Sequence, residues 1–234
     1  MTGPAAAPPI IELAGVEKVY RSGRMGFRAL NGVDLAIAAG EMVAITGPSG
    51  SGKTTIINLI AGIDRPTVGT VRVNGSRLDQ MSEDQLAVWR GRTIGIIFQF
   101  FQLMPTLTAT ENATLPLDLA HVGAVRERKA TADRHLATVG LADRGDRLPL
   151  ELSGGEQQRV AIARAMACGP PILLGDEPTG NLDTVLAREM FELLKRLNGD
   201  GTTVVYVTHD LALAELASRI VSVRDGLIVG DTGR

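Results

Sequence analysis

The sequence predicts an α/β fold: a wound parallel sheet with helices on its faces, an antiparallel β edge and an inserted α-helical subdomain. Three observations predict it. Met42–Thr46 is a short apolar run ending in glycines, and helix-compatible spacing follows over residues 53–61, the pattern of strand, loop and helix. Residues 172–174 and Thr203–Val207 have the length and apolar character of buried parallel strands, and each precedes a helical pattern. Such alternation needs helices packed on the sheet faces. Third, no convincing strand occurs between about residues 100 and 150, where Pro105, Pro116 and Pro149 punctuate the chain and residues 127–139 read as an amphipathic helix.

In chain order, residues 1–9 read as a loose tail, interrupted by Pro4, Pro8 and Pro9. Residues 33–37, 69–73, 220–223 and 227–229 look like shorter strands and are assigned to the antiparallel edge. Residues 100–150 are read as the inserted helical subdomain, so that residues 1–234 form a single domain around one site. The chain has 234 residues, of which 44% are apolar, enough for one large core. A net charge of −2 supplies no basic field for nucleic acid. The first ten residues carry no Lys or Arg, so they are no secretory signal. No stretch of 18 apolar residues is uninterrupted, so the chain itself is not expected to span a bilayer. Cys168, the only cysteine, reads as a small buried hydrophobe. His121 and His135 read as surface residues and Trp89 as a packing anchor.

Gly47, Pro48, Ser49, Gly50, Ser51, Gly52, Lys53 and Thr54 spell Gly-x-x-x-x-Gly-Lys-Thr between a buried strand and a helix. The glycines let backbone N–H groups turn inward around phosphate oxygens, and the helix adds its positive dipole end. Lys53 is expected to reach the β- and γ-phosphates, with Thr55 also at the nucleotide and the Thr54 hydroxyl on Mg²⁺. Asp176 ends a buried run, where a carboxylate can hold Mg²⁺ through water. Glu177, next in the chain, has the chemistry to orient or deprotonate an attacking water. Taken alone, the pair also reads as two solvated acids at a strand end. His209, after Thr203–Val207, is positioned to donate a hydrogen bond to the γ-phosphate. Gln99, after the apolar run 94–98, is positioned to set its amide oxygen on Mg²⁺. Ser153, Gly154, Gly155 and Glu156 spell a helix capping box. Paired glycines also strip a helix N-terminus for the approach of phosphate, and both readings hold together.

The combination resembles the ATP-binding subunit of an ABC transporter over residues 11–229. Lys53 and Thr54 match the family's Walker A, residues 152–158 its signature motif, and Asp176 and Glu177 its Walker B and catalytic glutamate. Gln99 matches the Q-loop, Asn181, Leu182 and Asp183 the D-loop, and His209 the switch histidine. Residues 98–105, 108–112 and 180–183 look like the branch serving macrolide export, lipoprotein release and related cell-envelope tasks. The resemblance implies a homodimer that closes head to tail on two ATP molecules with Mg²⁺, Ser153 and Gly155 of one subunit meeting the γ-phosphate held by Lys53 of the other, and Asp183 linking the sites. It also implies integral membrane permease subunits as partners, contacted around Gln99 and residues 100–107, and a cytoplasmic location on the inner face of the membrane. Tyr20 stands where the family stacks an aromatic on adenine, with Phe27 its rival. Glu156 replaces the usual glutamine and adds negative charge near the opposing triphosphate, a possible brake on closure. Gly175 stands where alanine is common, and Thr54 replaces serine.

The alternative is a soluble ABC-type ATPase acting on nucleic acid or ribosomes. Those relatives carry long coiled-coil arms or two ATPase domains, whereas this insert is short and punctuated by proline. A P-loop GTPase or small-molecule kinase would share Lys53 and Thr54 but leaves residues 153–158 unexplained.

Overall fold

A computed structural model describes residues 8–22, 25–180 and 182–233; most of the expected tail, residues 1–7, lies outside them. The chain begins with two long antiparallel strands, β1 (Ile11–Ser22) and β2 (Met25–Ile37), in a register that sets Ile11 opposite Ile37 and Tyr20 opposite Phe27. Strand β3 (Met42–Thr46), buried along its length, leads through a glycine loop into helix α1 (Lys53–Ile60). The short strands β4 (Val68–Val73) and β5 (Ser76–Arg77) complete a four-stranded sheet in the order β2-β1-β4-β5. Helix α2 (Glu83–Thr93) starts on a reciprocal cap between Ser82 and Gln85 and runs into β6 (Ile94–Phe98).

Helices α3 (Ala109–Leu119) and α4 (Val125–Thr138) then pack on each other and on α5 (Gly154–Met166). Among the described residues, 100–150 contain no strand, in line with a helical insert. The loop entering α3 is fixed by the buried Asn112, whose amide donates to the carbonyls of Met104, Leu107 and Thr108 and accepts from the Met104 N–H. Beyond the insert lie β7 (Ile172–Asp176), α6 (Thr184–Gly199), β8 (Thr203–Val207), the short α7 (Leu211–Ala214), β9 (Arg219–Arg224) and β10 (Leu227–Asp231).

The second sheet runs β10-β9-β3-β8-β7-β6, and every pairing except β10 with β9 is parallel. Its two faces are covered by two cores. On one, α1 buries Ile56, Leu59 and Ile60 together with Leu13, Leu35 and Val71 of the first sheet and Val43, Ile45 and Val205 of the second. On the other, Leu173, Val204 and Tyr206 meet Leu136 of α4, Val160 of α5 and Phe191 of α6. Phe191 and Tyr206 cross edge to face with centroids 4.9 Å apart, a geometry that adds to their burial. Arg219 ties the sheets together: it grips both carboxylate oxygens of Asp231, donates to Glu41 and reaches the Ala36 carbonyl of β2.

Three expectations change. Residues 220–223 and 227–229 do form an antiparallel edge pair, β9 with β10, but it closes the second sheet, where β9 also runs parallel to β3 and sets Val221 and Val223 into the core beneath α1. Residues 33–37 and 69–73 belong instead to a separate, wholly antiparallel sheet whose first strand, β1, the pattern did not reveal. One face of β1 is solvated, and Gly15, at φ +55°, sits in a register shift between Leu13 and Val16 that breaks the alternation of apolar residues. Cys168 and His135 are both half-buried, neither core nor surface, and burial raises the thiol's pKa while lowering the imidazole's. Trp89 packs on the first core as expected.

Candidate functional site

The C-terminal ends of the parallel strands bring the chemistry-bearing residues to one edge, the usual location of ligand sites in such sheets. The loop after β3 keeps Gly47 and Gly52 at φ +148° and +108°. A Cβ on Gly47 would lie 2.1 Å from the Val223 carbonyl oxygen, and one on Gly52 would lie 2.7 Å from that of Ala29. Neither position admits a side chain. Lys53 is buried, and its ammonium donates to the carbonyls of Gly47 and Pro48 at 2.8 Å each. Ser51 Oγ is buried in the loop with no hydrogen-bond partner. A 140 Å³ cavity runs along the loop, lined by Gly50, Gly52, Thr54, Thr55 and Phe27. An orphaned hydroxyl, a buried cation and a loop closed to side chains form a cradle suited to a triphosphate. Ser49 lies in the same loop and is exposed.

Across the sheet edge, Thr54 Oγ1 donates to Asp176 Oδ1 at 3.3 Å. Burial raises the Asp176 pKa, reinforced by the charge of Glu177 and opposed by the Thr54 hydrogen bond and Lys53. One hydroxyl and one carboxylate, to be completed by phosphate and water oxygens, suit Mg²⁺. The described residues contain no cluster of three His, Cys, Asp or Glu able to hold a metal without such help. Glu177 takes a left-handed conformation, φ +47°, that turns it off β7, and its carboxylate meets His209 Nδ1 at 3.0 Å. If Nδ1–H donates to Glu177, His209 keeps a second donor, at Nε2, only as imidazolium. Phe98 pairs with Asp176 in the ladder, so Gln99 emerges beside Glu177. A Cβ on Gly180 would stand 2.9 Å from Gln99 Nε2 and 3.3 Å from Glu177 Oε2, so both side chains close over that glycine. A 580 Å³ cavity opens beside them, lined by Glu177, Thr179, His209, Asp210 and Arg188.

Tyr20 and Phe27, the rival aromatics, are neighbours across β1 and β2. The Tyr20 hydroxyl donates to Asp64 at 2.7 Å and also bonds with Thr55, while the Lys18 ammonium sits 4.8 Å from its ring centroid. Phe27 is 60% exposed and lines the loop cavity.

At the start of α5 the capping box is formed: Ser153 Oγ accepts from the Glu156 amide at 3.3 Å, and Glu156 Oε2 accepts from the Ser153 amide at 2.8 Å. The two glycines differ. A Cβ on Gly155 would meet Leu186 of α6 at 3.0 Å, a packing requirement within the chain, whereas on Gly154 the nearest contact would be Phe101 Cζ at 4.0 Å. Sequence reasoning missed two partners of this helix. Arg144 donates to Glu156 Oε1 at 3.1 Å, and Gln158, fully buried, donates to the Pro178 carbonyl beside Glu177. Asp183 caps α6, accepting from the amides of Val185 and Leu186, and Asn181 lies outside the described residues. Among the described residues, no hydrogen bond or ion pair joins the 153–156 turn to residues 47–54 of the same chain.

Fold and site define a P-loop nucleotide hydrolase. The chain belongs to the ABC transporter family, whose model matches residues 30–180. It is an ABC-type ATPase, the ATP-binding subunit of a transporter. It is 49% identical over 226 residues to the lipoprotein-releasing system ATP-binding protein LolD of Anaeromyxobacter dehalogenans, covering 96% of this chain and 95% of that one. It is 48% identical over 229 residues to the macrolide export ATP-binding/permease protein MacB of Nitrobacter winogradskyi, matching 97% of this chain but only 35% of that longer protein. A solved dimer of the ATP-binding cassette MJ0796, in a post-hydrolysis state bound to ADP and Pi, superposes with a TM-score of 0.88 at 43% identity, covering 94% of this chain and 97% of that one. Among the described residues no helix is long and apolar enough to cross a membrane.

Proposed function

We propose that the chain is a single-domain motor subunit, with residues 100–150 as its helical insert. It closes head to tail with a second copy on two ATP molecules and drives integral membrane permease subunits in export or mechanical work on the cell envelope. The observation that carries this reading is the convergence of Thr54 with Asp176 and of Glu177 with His209 along one sheet edge around the glycine loop. The branch is supported by the relatives named for lipoprotein release and macrolide export.

In this reading Lys53 exchanges the carbonyls of Gly47 and Pro48 for β- and γ-phosphate oxygens. Gly47, Ser49, Gly50, Ser51, Gly52 and Thr55 surround the phosphates, and Tyr20 stacks on adenine. Thr54, Asp176 through water, and Gln99 would hold Mg²⁺, which when bound neutralises phosphate charge. Glu177, steadied by His209, takes a proton from the water whose oxygen attacks the γ-phosphorus as the bond to the β-phosphate oxygen breaks. Ser153 and Gly155 close the γ-phosphate from the second subunit, with Gly154 leaving the helix N-terminus clear between them. Asp183 joins the two sites at the interface.

The permease contact extends the expectation for residues 100–107. Gln102 and Met104 line a 660 Å³ groove with Val88, Leu115, Pro116 and Leu119, an apolar trough open to a partner helix. Such contacts would hold the chain at the inner face of the membrane. Co-expression with the membrane protein of the adjacent gene tests this: co-purification that Leu119→Glu and Met104→Glu abolish is expected, and binding unaffected by both sinks the contact.

A further inference from the structure

The segment after Gln99 is held in a conformation that its residues disfavour, and the side chain that holds it comes from α5. Phe101 and Gln102 have φ of +49° and +50°, and neither is glycine. Arg164, near the C-terminus of α5, donates through Nη2 to the Phe101 carbonyl at 2.8 Å and through Nη1 to that of Gln102. Burial disfavours the guanidinium charge, and these carbonyls supply the compensating contacts. The Phe101 ring reaches toward the other end of the same helix, beside Gly154. This segment therefore touches three functional regions at once. Gln102 lines the apolar groove with Arg164 itself, Gln99 borders Glu177, and Phe101 lies against the serine-glycine turn.

We propose that Arg164 is a positioning residue: its two-pronged grip on Phe101 and Gln102 fixes the groove, Gln99 and the start of α5 in one geometry, and so sets the hydrolysis rate without touching nucleotide. The proposal rests on the ATPase reading above. A planar fork suits two adjacent carbonyls, and a lysine ammonium does not replace it. Glycine at 102 adopts positive φ freely and would keep the turn without the grip, whereas valine resists it.

The full chain is assayed for steady-state hydrolysis against ATP concentration at saturating Mg²⁺. Arg164→Lys is expected to lower kcat by about tenfold, the scale of a sub-ångström misplacement, with KM for ATP within about twofold. Adding Gln102→Gly to that variant should restore kcat to within about threefold of wild type. A wild-type kcat in Arg164→Lys, or a loss that glycine fails to restore, overturns the proposal. Because Gln102 is exposed, a second pair separates backbone strain from lost burial: Gln102→Val should lower kcat well below that of Gln102→Gly, and equal rates for the two count against the clamp. Failure of the ATPase reading looks different, since wild type would then not hydrolyse ATP or Glu177→Gln would hydrolyse it at the wild-type rate.

Discussion

Arg144 Nε donates to Glu156 Oε1 at 3.1 Å, so the carboxylate that replaces an amide at the serine-glycine turn has a cationic partner in its own chain. The charge expected to oppose closure of the proposed dimer is therefore partly offset within the chain itself. Glu156→Gln is expected to change ATP-dependent dimerisation by no more than about twofold, while Arg144→Ala, which leaves the carboxylate without that partner, should weaken it by up to about fivefold, the range of an exposed ion pair. Light scattering of each variant with Glu177→Gln at saturating ATP reads both. A large gain from Glu156→Gln alone would restore the brake.

The same carboxylate gives the fold an acid sensitivity. The Ser153 amide, then its hydroxyl, and Arg144 hold the Glu156 pKa below the ordinary value, and the Thr108 amide and hydroxyl do the same for Glu111 at the start of α3. Both folded-state values are depressed, so unfolding takes up protons in acid. Their stabilisation is complete above about pH 4.5 and is lost as pH falls through the folded values. Melting curves between pH 7 and pH 3.5 should fall less steeply for the Glu156→Gln, Glu111→Gln double variant than for wild type. Parallel curves would show that the caps do not contribute.

Glu177→Gln should reduce turnover by roughly 10²–10⁴-fold, the usual range for losing a general base, with ATP binding intact. It should also trap a dimer in ATP and Mg²⁺. Sedimentation showing only monomer under those conditions would count against the paired site.

Lys53→Ala should weaken triphosphate binding, and Gly47→Ala should remove it, because the new Cβ would overlap backbone that cannot yield. Calorimetric titration with ATP compares them. Wild-type affinity in Gly47→Ala would mean that the loop tolerates a shift that its contact with Val223 opposes.

Arg219→Met breaks a buried pair within the second sheet and the bond from Arg219 to the Ala36 carbonyl of the first, and should cost about 3–5 kcal/mol. For a chain of this size the melting temperature should fall by roughly 10 °C. A change of only a degree or two would make the tie between Arg219 and Asp231 incidental.

The loop at Gly47, the acids at Asp176 and Glu177 and the histidine at His209 were legible because each lies at the end of, or just beyond, a short and almost wholly buried strand, rich in apolar residues, that solvent exposure does not disguise. Strand β1 was not, since the partly exposed Glu12 and Glu17 and the inward Lys18, bonded to Asp64, interrupt its apolar residues and the bulge at Gly15 shifts the period. The partners of α5 were invisible for another reason. Arg144 meets Glu156 across a loop, Gln158 meets Pro178 twenty residues on, and Arg164 meets a turn about sixty residues earlier, distances at which no periodicity operates. Gly155 was read as clearance for phosphate, and its contact with Leu186 adds a requirement that only three-dimensional packing reveals.

That contact has a consequence for how the molecule can change over generations. Leu186 sits one turn into α6, whose first amides are capped by Asp183, so the starts of α5 and α6 touch through a glycine that leaves no slack. A larger residue at 155 would press on the Leu186 side chain, whose own backbone amide donates to the Asp183 cap. The two helix starts therefore form one inherited unit, and a substitution that adjusts either must be tolerated by both.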